Sequence, residues 1–442
     1  MILLGAGVCL TLSLPGHMSV DSVEQLAQGR AGVYDALHPP VMAWLLGICD
    51  AIRPGAALFV VLDAVLIAAA FLAFTRLGRR SWLTPLLLAL FAASPLLLIY
   101  PAIVWKDVLF AASGIAGFAC LAHAAARWTS RTWRFGWLLA GLLLLVLASL
   151  ARQNGAVVLV FAALAVGWTA GRAASPARRG RGWAHGGAFF LLGALTWAGS
   201  TVALNTHADG KRASAYQWEN LQIYDMVAGL VMEPRTPLPV LARRAPGLET
   251  TLRTTAVKLY RPDRIDTLGD MLGPINEDAR TGPVVAAQWR EFVLHHPLLY
   301  LRTRAQAFDW VFLTPDISKC LPIYVGVDGP DEQMDYLHMV PRSSDMDSNL
   351  EDYSNLFNNT PVFSHAAYAV LALGLLVVLV RRGRGQDIMV AAMLASGLAF
   401  AASFVLISIA CDYRYLYFLD LAAMAGAVYA VSSRKPWETA KP

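Results

Sequence analysis

Along this chain, long apolar runs alternate with short basic clusters. A helix that crosses a bilayer needs roughly 20 mostly apolar residues. Ten runs are candidates: 1–14, 56–74, 81–100, 107–126, 135–150, 156–168, 187–204, 363–380, 388–409 and 415–431. The first is short and could be read as a signal peptide, yet it lacks a basic n-region and an A-x-A cleavage site. An uncleaved first span, with a start codon assigned too late, fits it better. The pattern predicts an all-α polytopic membrane protein of about ten transmembrane helices.

Orientation follows from Lys and Arg in the short loops. Arg76, Arg79 and Arg80 follow the second run; Arg127, Arg131 and Arg134 follow the fourth. Arg172, Arg178, Arg179 and Arg181 follow the sixth, Arg381, Arg382 and Arg384 the eighth, and Arg434, Lys435 and Lys441 the tenth. Every second loop is basic, which places those loops and both termini in the cytoplasm. The loops 15–55, 101–106, 151–155, 205–362 and 410–414 then face outward. The first of these holds two helical pieces, 19–29 and 40–52. The second piece carries Val41, Trp44, Leu45 and Ile48 on one side, as an interfacial helix does. Loop 205–362 is polar and long enough for a small domain. Within it, 289–310 is aromatic and basic and reads as an interfacial helix packed on the bundle. The expected organisation is a transmembrane core, 1–204, whose long first outer loop carries the site. An extracytoplasmic polar domain (205–362), C-terminal transmembrane helices (363–434) and a disordered cytoplasmic tail (435–442) follow. No internal repeat is evident.

Composition agrees: 57% of residues are hydrophobic and 15% charged, where soluble domains sit near half and a quarter. Most acidic residues fall between 209 and 352. The net charge of +5 is spread over short loops, which is no nucleic-acid footprint. The five cysteines show no metal spacing. Cys9 and Cys120 sit in apolar runs as small hydrophobes. Cys320 and Cys411 both map outside, where a disulfide between them is open but not established by one sequence.

Charges at the ends of apolar runs ask for explanation, because a charge near hydrocarbon is costly and by default marks function. Asp21, in Ser19-Val20-Asp21-Ser22, is either a carboxylate held at the membrane surface as general base or metal ligand, or a helix N-cap with Glu24 completing a capping-box-like pattern. Asp35 and His38 precede Pro39-Pro40, which stiffen the backbone and set the entry of the next helix. His38 could bind a carboxylate, a phosphate or a metal, or be a satisfied structural histidine. Lys106-Asp107 is an interfacial anchor with a dipole-facing acid, or a site carboxylate with a phosphate partner. Arg152 and Arg414 break the positive-inside pattern, and Arg is suited to bidentate phosphate recognition. Each residue alone is weak evidence; their shared side favours one site. Asp63, deep in the second run, pairs with a neighbouring helix, snorkels outward or lines a lipid-phosphate path, and has no assignment.

Taken in order, these residues resemble the GT-C superfamily of membrane glycosyltransferases, which take sugar from a polyprenyl-phosphate carrier. The resemblance lies in Asp21 just after the first run, a Gly-rich approach to His38-Pro39-Pro40, the acid of Trp105-Lys106-Asp107, and Asp412-Tyr413-Arg414-Tyr415 at the last run. It is best over 1–150 and the last run. It implies Asp21 as general base or metal-linked carboxylate toward the acceptor, Asp107 as the second acid, and His38 as an orienting or phosphate-assisting group. Lys106, Arg152 and Arg414 would bind the lipid-linked phosphate, with Tyr415 and Asp35 as further substrate-binding candidates. A divalent metal, Mg or Mn, would sit on Asp21 and Asp107. The expected partners are a polyprenyl-phosphate-linked sugar, an extracytoplasmic acceptor (glycan, lipid or protein) and the bilayer, with no nucleic acid. The expected location is the inner (plasma) membrane with the site facing the periplasm or exterior. One departure matters: many members carry two adjacent acids in the first loop, whereas Asp21 is followed by Ser22. Competing readings are an O-antigen polymerase or ligase working on a lipid-diphosphate glycan without metal, and a transporter or flippase. The latter would place ionisable groups at mid-membrane, often in matching halves.

Overall fold

The computed structural model describes residues 1–442 except 36–37, 79–80, 175–179, 207, 210–212, 278–279 and 434–442, together with the side chains of 35, 208–209, 213–215, 274 and 276–277. The expected tail, 435–442, therefore lies outside the described residues.

All ten apolar runs fold as helices. The first is α1 (Ile2–Ser13), followed in the first outer loop by α2 (Val20–Ala31) and α3 (Val41–Ile52). Then come α4 (Ala57–Arg76), α5 (Leu83–Ala92), α6 (Pro95–Leu98), α7 (Lys106–Ala126), α8 (Arg131–Ala151), α9 (Val157–Ala173) and α10 (Gly180–Asn205). The polar stretch is helical as well: α11 (Ala213–Met232), α12 (Pro239–Arg244), α13 (Pro246–Thr251), α14 (Val257–Leu259), α15 (Gly269–Glu277), α16 (Thr281–His295), α17 (Pro297–Leu313), α18 (Asp331–Leu337) and α19 (Asp345–Asn355). The chain closes with α20 (His365–Arg382), α21 (Gly385–Ile407) and α22 (Tyr417–Ser432).

The protein is an all-α polytopic membrane protein, but the expectation of ten full spans changes. Among the described residues seven helical stretches are long and apolar enough to cross: α4, α7, α8, α10, α20, α21 and Tyr413–Ser432. The pair Leu83–Ala92 and Pro95–Ala102, bent by 80°, is a broken span or a re-entrant loop and brings the count to eight only if it is one span. Pro95 has no N–H to continue α5 and sits instead at the first position of α6. α1, with 12 residues, rises about 18 Å, well short of the roughly 30 Å hydrocarbon core. α9, with 17 residues, stands at the lower limit. The stretch 289–310 also departs from one interfacial helix. Pro297 divides it into α16 and α17, and only α17 packs on the bundle, against α21.

α7 is the axis of the bundle, packed by α4, α8, α21 and α22. Of its best 18-residue window 89% is buried, so it faces protein on every side rather than lipid. Small residues permit this close packing: a Cβ on Gly117 would meet Leu145 Cγ at 2.7 Å. The hairpin of α2 and α3 depends on the same device, since a Cβ on Gly29 would lie 2.2 Å from the Ala43 carbonyl. That contact fixes the helix carrying Asp21.

The two ends of the bundle differ. On the basic-loop end, Arg384 pairs with Asp387 at 2.7 Å, Tyr429 donates to the same carboxylate, and Arg382 reaches Ser433. At the other end the outer segments converge. A second apolar core, including Tyr224, Val227, Leu241, Leu252, Val285 and Phe292, organises α11 to α17. Arg304 locks it to the bundle, bonding Asp225 at 2.6 Å and the Val405 and Ser408 carbonyls at 3.0 and 2.6 Å. Both members of this ion pair are 1% exposed, and Trp289 donates to the remaining Asp225 oxygen. A pair so buried persists only because its hydrogen bonds are met. Cys320 and Cys411 form a disulfide, which answers the question the sequence left open. A short parallel ladder joins Tyr34–Asp35 to Ala208–Asp209.

Candidate active site at the outer helix ends

Three segment starts meet at the end of the bundle opposite the basic loops. Ser19 occupies the N-cap position of α2 without capping it; its hydroxyl instead accepts from Trp105 Nε1 at 3.0 Å. Ser22 donates to the Val104 carbonyl at 2.5 Å. These two bonds tie the first turn of α2 to the first turn of α7, and so bring Asp21 over Lys106 and Asp107. The N-cap reading of Asp21 is corrected: Asp21 lies within the first turn of α2, and Ser19 holds the N-cap position.

The third contributor is the segment 408–416. The disulfide holds it at Cys411, the Cys411 N–H donates to the Asp263 carbonyl and the Tyr413 N–H to the Cys320 carbonyl. The turn Tyr413–Leu416 then projects Arg414 inward. Its guanidinium donates to Asp21 at 2.9 Å and to Asp412 at 3.2 Å, lies 3.9 Å from Asp107, and rests on the Trp105 ring at 4.7 Å. Arg152 ends α8 in extended conformation and donates to Asp107 at 2.5 Å. Tyr415 and Phe404 flank it at 5.3 and 5.5 Å. Lys106 Nζ lies 2.8 Å from His38 Nδ1.

The structure therefore brings together Asp21, His38, Lys106, Asp107, Arg152, Arg414 and Tyr415. The Asp35 side chain lies outside the described residues. Three participants were missed. Asp412 and Trp105 were legible as immediate neighbours of Arg414 and Lys106. Arg264, 3.6 Å from Asp412, left no signal, coming from the polar stretch some 150 residues earlier in the chain.

Exposure separates the carboxylates: Asp21 is 35% exposed and Asp107 3%. Burial alone would raise the Asp21 carboxyl. The Arg414 guanidinium, with the Lys106 ammonium behind it, outweighs that and holds it below the usual carboxylate range. Burial, then the Lys106 ammonium, pushes His38 down to about 3. Because an ammonium only donates, Nδ1 of the neutral imidazole accepts and its proton sits on Nε2, leaving an N–H available as a donor.

The set does not suit a tightly held divalent metal. Asp21 and Asp107 are each occupied by a guanidinium, three cations crowd the same space, and no group of three or more metal-binding side chains occurs among the described residues. What the arrangement suits is an anion, for which cations stand ready while their carboxylate partners keep them placed.

The segment after α2, with α3, α8 and α10, lines an open apolar cavity of about 600 Å³ that includes Tyr34, Val41, Trp44, Leu147, Leu150 and Leu204. Two of its lining residues, Tyr34 and Leu150, stand four and two residues from His38 and Arg152 in the chain.

No family model matches the chain, and no curated protein matches it. Among solved structures it aligns with the archaeal oligosaccharyltransferase AglB from Archaeoglobus fulgidus, in complex with an inhibitory peptide and a dolichol-phosphate. The identity is 11%, the TM-score 0.41, and the alignment covers 97% of this chain and 49% of that one. The chain thus spans about half the length of that protein.

Proposed function

We propose that the protein is a membrane glycosyltransferase that moves a sugar from a polyprenyl-phosphate carrier to an extracytoplasmic acceptor. The observation that carries this reading is the joint placement of Lys106, Arg152 and Arg414 with a partly exposed Asp21 at the helix ends opposite the basic loops, and an apolar cavity lined by Tyr34 and Leu150 supports it. The carrier's phosphate would meet the cations while its isoprenoid chain follows the cavity. An acceptor hydroxyl oxygen attacks the anomeric carbon and gives its proton to Asp21. The bond from that carbon to the phosphate oxygen breaks, and its electron pair leaves with the phosphate. The leaving group gains one negative charge, which the three cations stabilise. Direct displacement inverts the anomeric carbon.

The depressed carboxyl of Asp21 fits this sequence. While Arg414 donates to it, Asp21 is a weak base; as Arg414 turns to the phosphate, Asp21 loses its nearest cation and its basicity rises. Asp107, nearly unexposed, holds Arg152 in place instead of meeting the acceptor. His38, neutral with its free N–H, donates to a phosphate oxygen. No step runs through a metal ion. The segments 1–204 and 363–434 carry the chemistry, and 205–362 receives the acceptor. Basic loops at the opposite end support a site on the periplasmic or exterior face of the inner membrane, and a disulfide beside the site accords with an oxidising side.

The test is a donor panel. Purified protein with acceptor extract is given radiolabelled polyprenyl monophosphate sugars and polyprenyl diphosphate sugars. Release of lipid monophosphate is the expected result. Turnover confined to diphosphate donors would make the protein a lipid-diphosphate polymerase or ligase, and turnover of neither would favour a transporter.

A further inference from the structure

One layer below the site lies a polar pair with no part in that chemistry. His365 and Asp420 are each 0% exposed, with Nδ1 3.0 Å from Oδ1. Polar groups at such depth are expensive and call for a use. The start of α20 does not supply one, since Ser364 already accepts from the Ala367 N–H.

What the pair touches is the residue preceding Arg414. The His365 ring stacks on Tyr413 with centroids 4.0 Å apart at 25°, and Phe363 meets the same ring edge-on at 5.1 Å. The Tyr413 hydroxyl donates to the Val362 carbonyl at 3.3 Å and its N–H to Cys320 at 2.7 Å. Tyr413 is thus fixed at ring, hydroxyl and backbone, and Arg414 leaves from a held position. A second route leads to the same guanidinium. Tyr413 meets Tyr100, Tyr100 meets Trp105, and Trp105 lies under Arg414. His365 Nε2 has no hydrogen-bond partner, so the bond to Asp420 is the imidazole's polar anchor, and Asp420 also interacts with the Tyr413 hydroxyl.

We infer that His365, oriented by Asp420, is a positioning residue for Arg414, keeping its guanidinium between Asp21 and the place of the phosphate. This rests on the assignment of Arg414 to the lipid-linked phosphate. Without the Asp420 bond the imidazole turns out of the stack, Tyr413 gains room, and Arg414 loses its fixed departure.

Two readouts on the full-length protein test it. The first is hydrogen exchange of 411–416 in His365→Leu, Asp420→Leu and Asp420→Asn, with 385–395 at the far end of the bundle as internal control. The two leucine variants should exchange about tenfold faster at 411–416 with the control unchanged, whereas Asp420→Asn, which can still bond the imidazole, stays near wild type. The second is affinity for polyprenyl phosphate. His365→Leu should weaken it about tenfold, and should add nothing in an Arg414→Lys background, because both changes remove the same contact. Unchanged exchange at 411–416, or losses that multiply in the double variant, would overturn the inference. If the wild type itself binds no polyprenyl phosphate, the glycosyltransferase reading falls, and the exchange comparison still decides the positioning role.

Discussion

Removing Arg152 exposes how the site is held together. Arg152 and Asp107 are 10% and 3% exposed, and their oxygen–nitrogen distance is 2.5 Å. The other Asp107 oxygen has no hydrogen bond, and its next cation, Arg414 Nε, is 3.9 Å away. Arg152→Ala therefore strands a buried carboxylate. Breaking one side of such a pair costs about 3–5 kcal/mol, while removing both partners is often nearly neutral. Arg152→Ala should lower the unfolding temperature in detergent by several degrees. Arg152→Ala with Asp107→Asn should recover most of that loss, because an amide tolerates burial without a cation, yet it should remain inactive. The assay is thermal unfolding of the purified variants followed by size exclusion, at a fixed heating rate because membrane proteins often unfold irreversibly. A single variant as stable as wild type, or a double variant as unstable as the single, would refute the pairing.

Three further outcomes are expected. Lys106→Gln should both weaken polyprenyl-phosphate binding and slow turnover of bound donor, read as a rise in KM together with a fall in kcat, since its ammonium meets the phosphate in the ground state and the added charge of the leaving group in the transition state. His38 has a folded-state value near 3 against 6.5 in its unperturbed form. The unfolded chain therefore binds the extra proton between those values, and stability is full above about pH 6.5 and falls as pH drops toward 3. His38→Gln should flatten that fall in a pH series of unfolding temperatures, and an unchanged slope would contradict the burial of His38. Replacing Cys320 and Cys411 by Ser removes a cross-link over 91 residues, worth up to about 4–5 kcal/mol in the chain-entropy view; unfolding temperature should drop and phosphate binding weaken, because the same segment carries Arg414.

The bundle and one half of the site could be read from the sequence because hydrocarbon makes charges conspicuous. Asp21, Lys106, Arg152 and Arg414 each interrupt or border an apolar run on the side where basic residues are not expected, which was enough to group them. Their pairing was not legible. That Arg152 faces Asp107, while Arg414 bridges Asp21 and Asp412, follows from how α2, α7, α8 and the 408–416 segment cross, and no local pattern encodes it. The break after Ala92 escaped because hydropathy stays high through Pro95, although the proline itself carried the signal. The first run was overcounted since twelve helical residues are apolar enough to cross but not long enough. In 205–362, short helices give little periodicity, and their proline starts at 239, 246 and 297 were the readable marks. Arg264 and the second apolar core depend on long-range packing alone.

The central claim is that Asp21 and the cations around it transfer sugar from a lipid-linked phosphate. The direct measurement is release of polyprenyl phosphate from a radiolabelled monophosphate donor by protein in liposomes, wild type beside Asp21→Ala, with donor binding measured for both. Steady release by wild type, about 10²–10⁴-fold slower in the variant while donor still binds, is the predicted result. Equal release by the two proteins, or none from wild type with any monophosphate donor, would contradict it.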